Sequence, residues 1–174
     1  MKQAIHIGMD FNAANCNAVC GLFYPERRFI HVFHEFVSYF DTPELITAIK
    51  EYFDGYQIYV YPDASGKKRS SINAHTSDIA LLREAKFRIK AKSSNPLVRD
   101  RVASVNRAFE KGYLAIDVNR CPETTECLEK QVFLENGQPD KKSGYDHLVE
   151  ALGYLVHYIM PVRKNNVTKV TAVG

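Results

Sequence analysis

Asp10, Asp63 and Asp146 are the residues of this 174-residue chain whose type and placement could do chemistry together. Asp10 ends an alternating segment in which Ile5, Ile7 and Met9 point one way and His6, Gly8 and Asp10 the other. Asp63 follows the compact apolar run 57–61 and starts the turn Pro62-Asp63-Ala64-Ser65-Gly66. Asp146 opens the last amphipathic segment. If the first and fourth strands are parallel neighbours, two of these carboxylates emerge at one end of a sheet, and a helix packed there brings the third. Three close carboxylates repel, and a divalent cation relieves that repulsion by coordinating them. Oxygen ligands without Cys or His favour Mg²⁺ or Mn²⁺. Two such ions, ~3.5–4 Å apart, activate a water and hold the leaving oxygen in phosphodiester hydrolysis. Glu150, one turn beyond Asp146, is a reserve ligand. Asp117, on a short strand, and Asp140, in a loop, suit the site less well.

Each acid also has an ordinary explanation. Asp10 reads as a turn residue after a strand. Asp63 reads as a turn Asp bonding its own backbone. Asp146, three residues after Ser143, reads as the acidic half of a helix capping box. Their joint position, at two strand ends and one helix start, is what favours the shared site.

The elements that must carry them follow from periodicity. Segments 15–24 and 29–39 are rich in aromatic and branched residues and flank the turn Pro25-Glu26-Arg27-Arg28, which predicts a hairpin continuing from the first strand. Asp41-Thr42-Pro43 starts a helix with the stripe Leu45, Ile46, Ile49, Tyr52 and Phe53, ended by Gly55. A strand over 57–61 and a helix over 73–84 come next. Then Phe87, Ile89 and Ala91 alternate with Lys86, Arg88, Lys90 and Lys92. Asn95-Pro96 breaks the chain ahead of a helix over 97–111, with stripe Val98, Val102, Val105 and Phe109 and stop Gly112. A strand over 114–118, a helix over 122–133 and a last helix over 145–160 complete the domain, 1–160. The polar tail is 161–174. The order implies an α/β domain, with a mixed sheet of antiparallel start and parallel additions between two layers of helices.

Composition sets wide bounds. Hydrophobic residues are 45% and charged residues 25%, a globular balance, and the net charge of +3 permits nucleic-acid binding without arguing for it. No apolar run approaches the ~18 residues of a membrane span, so no membrane role is expected. The N-terminus leaves no room for a secretory signal. Cys16, Cys20, Cys121 and Cys127 fit no common zinc spacing and read as reduced, buried thiols of a cytoplasmic protein.

Ile-Gly-Met-Asp10, Val-Tyr-Pro-Asp63 before Ala-Ser-Gly, and Gly-Tyr-Asp146-His before Glu-Ala-Leu-Gly-Tyr together resemble the nuclease domains of tailed-bacteriophage large terminases, over residues 4 to 160. The resemblance implies a ribonuclease H-like fold and a two-metal endonuclease with Asp10, Asp63 and Asp146 as its catalytic, metal-binding carboxylates. It further implies two Mg²⁺ or Mn²⁺ ions and the cutting of concatemeric double-stranded viral DNA in the bacterial host cytoplasm with little sequence preference. Implied partners are a packaging ATPase and the portal and small terminase proteins. Gly66-Lys67-Lys68-Arg69-Ser70 lacks the phosphate-loop spacing such an ATPase needs, so that domain is expected to be absent from this chain.

Cations flank the acids. Lys67, Lys68 and Arg69 follow Asp63, and Lys141 and Lys142 precede Asp146, positions from which they could hold phosphates without reading sequence. Arg99, Arg101 and Arg107 read as surface studs of a helix. His147 adjoins Asp146 but points about 100° away on the helix, as leaving-group acid or structural residue. His75 is undecided, and His6 reads as core or support. A resolvase or an RNA–DNA hybrid nuclease would use the same acids. An inactive nucleic-acid-binding module would not need them all, and a sugar-kinase or actin-like ATP-binding protein would need a second domain.

Overall fold

The computed structural model describes residues 2–11, 15–64, 77–135, 138–140 and 142–162. Its strands are β1 (Ile5–Asp10), β2 (Cys16–Tyr24), β3 (Phe29–Tyr39), β4 (Ile58–Pro62), β5 (Arg88–Ile89) and β6 (Leu114–Ile116). Its helices are α1 (Thr42–Tyr52), α2 (Asp78–Glu84), α3 (Val98–Glu110), α4 (Pro122–Lys130) and α5 (Asp146–Ile159). The strands form one sheet in the order β5-β4-β1-β2-β3-β6. β1, β2 and β3 pair antiparallel, while β4 joins β1, β5 joins β4 and β6 joins β3 in parallel. The mixed sheet expected from the element order is the one observed.

Period-2 alternation splits the sheet between two cores. Ile5, Ile7, Met9 and Val60 pack with Leu45 and Ile49 of α1 and Leu82 of α2. Val19, Ile30, Val32 and Tyr61 pack on the other face with Val105 of α3, Cys127 of α4 and Leu148, Leu152 and Leu155 of α5. α1 begins as its sequence predicts, with the Asp41 carboxylate accepting from the Glu44 N–H. Gly112, at φ 66°, ends α3 in the left-handed region that favours glycine.

Several boundaries differ from expectation. The ladder of β5 is two residues long, preceded by Lys86 at φ 64°, which holds the chain before it out of extended geometry. The helix expected over 73–84 is described from Asp78, with Ser77 as its cap; the stretch 65–76 lies outside the described residues. α4 stops at Lys130, and Phe133 instead bridges Pro139. Its N-terminus is held by Glu35 of β3, whose carboxylate accepts from the Glu123 and Thr124 N–H groups. α3 buries Arg101, Ser104, Val105 and Ala108, and Phe109 of the expected stripe is exposed. All four cysteines are buried thiols, and burial pushes Cys121 and Cys127 up to about 12 and about 11. No described helix is long and apolar enough to cross a membrane. Of the polar tail, 163–174 lies outside the described residues.

Candidate metal centre

β1 and β4 run parallel with Met9 opposite Pro62, and the Asp63 N–H donates to the Met9 carbonyl at 3.1 Å. That hydrogen bond carries the pairing one step past the ladder, so Asp10 and Asp63 leave neighbouring strands at the same level. Met9 points into the α1–α2 core, and Asp10 therefore faces the opposite layer, where α5 lies. Asp10 is 6% exposed, Asp63 9% and Asp146, the first residue of α5, 2%. The helix comes this close to the strand because residue 8 is glycine. A Cβ there would stand 2.0 Å from the Ala151 carbonyl oxygen. Asp146 also lies in the first turn of α5, where the unpaired N–H groups of the helix favour negative charge.

His147 spans two of the acids. Its Nδ1 is 3.1 Å from Asp10 Oδ2, and its Nε2 is 3.8 Å from Asp146 Oδ1. The hydrogen bond to Asp10 raises the imidazole pKa above its ordinary value, against the opposing effect of burial, and the charges of Asp146, Asp10 and Glu150 add to the rise. Among the described residues no three His, Cys, Asp or Glu side chains stand close enough to hold a metal ion. The imidazole takes the space between Asp10 and Asp146. The donor set nonetheless suits a hard divalent cation, since the three acids offer only oxygen and their buried negative charges require compensation.

Glu150, the reserve ligand, lies against Arg101, with Oε2 3.5 Å from Nη2. Arg101 is not the surface stud its sequence position suggests. It is 5% exposed, its Nη1 donates to the Tyr154 hydroxyl and the Pro96 carbonyl, and its guanidinium lies over the Tyr154 ring. Gly153 of α5 faces it, at a distance where even a Cβ would only touch the Arg101 Cβ, at 3.4 Å. Asn95, by sequence only a helix breaker, reaches the site. Its Nδ2 donates to Asp63 Oδ1 at 2.5 Å, and its Oδ1 accepts from the Ala64 N–H at 2.7 Å. No local pattern signals either residue, because both sets of interactions cross the fold.

The ordinary explanations fare unevenly. The capping box through Ser143 does not form; the Ser143 hydroxyl donates to the Asp140 carbonyl, and among the described residues no side chain caps α5. Asp117 and Asp140 do behave as loop acids, accepting from nearby backbone N–H groups. His6 stacks on Tyr59 and Tyr61, accepts or donates at the Tyr61 hydroxyl 2.7 Å away, and is a half-buried structural residue.

A family model described as a terminase RNase H-like domain matches residues 7–158. The chain belongs to that family. Comparison with curated protein sequences yields no match. Among solved structures, this terminase RNase H-like domain is similar to the nuclease domain of the bacteriophage SPP1 large terminase, solved with bound Mn. Identity is 18%, 90% of this chain and 87% of that one are covered, and the TM-score is 0.62. The P22 large terminase nuclease domain gives 12% identity, coverage of 91% and 83%, and a TM-score of 0.65. The large terminase nuclease of thermophilic phage G20c, solved with bound magnesium, gives 14%, 89% and 81%, and 0.61. The fold is therefore ribonuclease H-like, with the antiparallel β1-β2-β3 start and parallel strands on either side.

Of the cations expected to meet DNA, Lys67, Lys68, Arg69 and Lys141 lie outside the described residues, as does His75. Lys142 is exposed four residues before Asp146, its N–H donating to the Asp140 carboxylate. Lys86, Arg88, Lys90 and Lys92 are exposed on the edge of the terminase domain's sheet, with Arg88 and Lys90 over the Tyr59 ring.

Proposed function

We propose that this domain is a metal-dependent endonuclease that hydrolyses double-stranded DNA with little sequence specificity, in the cutting of concatemeric viral DNA during packaging. The observation that supports the reading best is the pair Asp10 and Asp63, level on adjacent parallel strands, facing the buried Asp146 of α5. These three carboxylates would hold two Mg²⁺ or Mn²⁺ ions. Bound metal supplies an activated water and stabilises the charge that develops on the phosphate. His147, whose Nδ1 lies against Asp10, is the candidate donor of a proton to the leaving oxygen. Lys67, Lys68, Arg69, Lys141 and Lys142 would hold flanking phosphates. A packaging ATPase, the portal and the small terminase would be its partners, in the cytoplasm of a bacterial host.

The test is incubation of supercoiled plasmid with the protein in EDTA, Mg²⁺ or Mn²⁺. Nicking or linearisation with either metal, none in EDTA, and loss of cleavage in Asp10→Asn, Asp63→Asn and Asp146→Asn are expected. Each lost ~1.4 kcal/mol of transition-state stabilisation is a factor of ten, so losses of at least about a hundredfold should follow. Cleavage that persists in EDTA would refute the reading.

A further inference from the structure

Asp63 is 9% exposed, and the protein supplies its carboxylate with a side-chain partner, the amide of Asn95. We propose that Asn95 is a positioning residue for Asp63: its amide clamps the carboxylate in the orientation that receives metal, and Arg101 ties the loop carrying it to the helix of Asp146. The proposal rests on the metal-dependent reading above.

The amide is used at both ends. Nδ2 donates to Asp63 Oδ1, and Oδ1 accepts from the N–H of Ala64, the next residue. An amide engaged in this way cannot flip without losing both bonds, so it holds Asp63 Oδ1 in place and occupies one edge of that oxygen. A donor outside the ligand set that bonds a coordinating carboxylate restricts how that ligand meets the ion, and losing such a partner typically weakens metal binding ~10–100-fold. The clamp would wander if its loop were loose. Pro96 follows Asn95, its carbonyl accepts from Arg101 Nη1, and the same guanidinium bonds Tyr154 and pairs with Glu150 on α5. Asp63 on β4 and Asp146 on α5 are thus referred to each other through Asn95, Pro96 and Arg101, as well as through the strand–helix approach at Gly8.

The experiment is Mn²⁺ titration of the full chain, followed by electron paramagnetic resonance of the free ion. Thermal midpoint and plasmid affinity in EDTA are measured on the same samples of the unsubstituted protein, Asp63→Asn and Asn95→Ala. Asn95→Ala should bind Mn²⁺ ~10–100-fold more weakly while its DNA affinity in EDTA is unchanged, and cleavage should recover substantially as Mn²⁺ is raised. A Mn²⁺ constant within about twofold of the unsubstituted value overturns the proposal. So does a parallel fall in metal affinity, DNA affinity and thermal midpoint, which would mark Asn95 as a structural residue alone. If Asn95→Ala does not fold, Asn95→Ser is judged by the same criteria. Failure of the unsubstituted protein to bind Mn²⁺ overturns the metal-dependent reading and this proposal together. Normal binding lost in Asp63→Asn but kept in Asn95→Ala overturns this proposal only.

Discussion

Carboxylates as deeply buried as Asp10, Asp63 and Asp146 need partners, and the structure supplies a neutral amide to one and an imidazole to two. The acids can be found from sequence because strand alternation and a helix start fix where each must emerge. Helical spacing also puts His147 about 100° from Asp146, but its reach across to Asp10 depends on how closely α5 packs on β1. Another histidine gives a test that does not touch the acids. Burial among Tyr59, Tyr61 and Phe23 holds the His6 imidazole down at about 4, against its ordinary 6.5. The folded state thus favours neutral His6, so its contribution is complete above pH ~6.5 and lost as pH falls toward 4. Because the ring is only partly buried, the loss is discounted to on the order of 2 kcal/mol. Urea denaturation at pH 7.5 and 4.5 should show His6→Gln losing less stability between the two than the unsubstituted protein does. Equal losses would show that protonating His6 does not burden the fold.

Elements bring these residues together, and periodicity locates the strands better than it locates helix faces. The stripe Val98, Val102, Val105 and Phe109 is picked out by apolar type, whereas α3 turns Arg101, Ser104, Val105 and Ala108 inward. An arginine is invisible to that criterion, and it is held because Glu150 and Tyr154 of α5 engage its head. Removing one partner of a buried ion pair is far more damaging than removing both, since it strands a charge. Arg101→Met should therefore cost about 3–5 kcal/mol, and Arg101→Met with Glu150→Leu should recover a good part of it in denaturant titrations. Additive losses in the double variant would mean that the two side chains are not coupled. The β1–α5 packing is stiffer still. Gly8→Ala sets a methyl carbon against the Ala151 carbonyl, so α5 must move, at about 3 kcal/mol or more. Calorimetry should record that drop in thermal midpoint, and cleavage should fall with it because Asp146 moves away from Asp10. An unchanged midpoint would contradict so close an approach of strand and helix.

At the scale of the whole molecule, the α/β class and the antiparallel-then-parallel sheet follow from the order of periodic segments, and the family match over 7–158 agrees with the motifs around the three acids. Composition adds nothing to this, since a net charge of +3 leaves DNA binding to the arrangement of the cations. If Lys67, Lys68, Arg69 and Lys142 hold phosphates, replacing all four by Gln should weaken plasmid binding. Its dependence on log salt should also flatten, by roughly 0.9 for each phosphate no longer neutralised. An unchanged slope would move the DNA elsewhere, with the exposed Arg88 and Lys90 of the sheet edge the next cations to replace. Whether Asp10, Asp63 and Asp146 share metal is the question on which the rest depends. Anomalous diffraction at the manganese edge from crystals soaked in Mn²⁺ tests it most directly. The expected result is density ligated by all three carboxylates, with the His147 imidazole withdrawn from between Asp10 and Asp146. Manganese bound elsewhere, or none at this end of the sheet at a concentration that supports cleavage, would contradict a shared site.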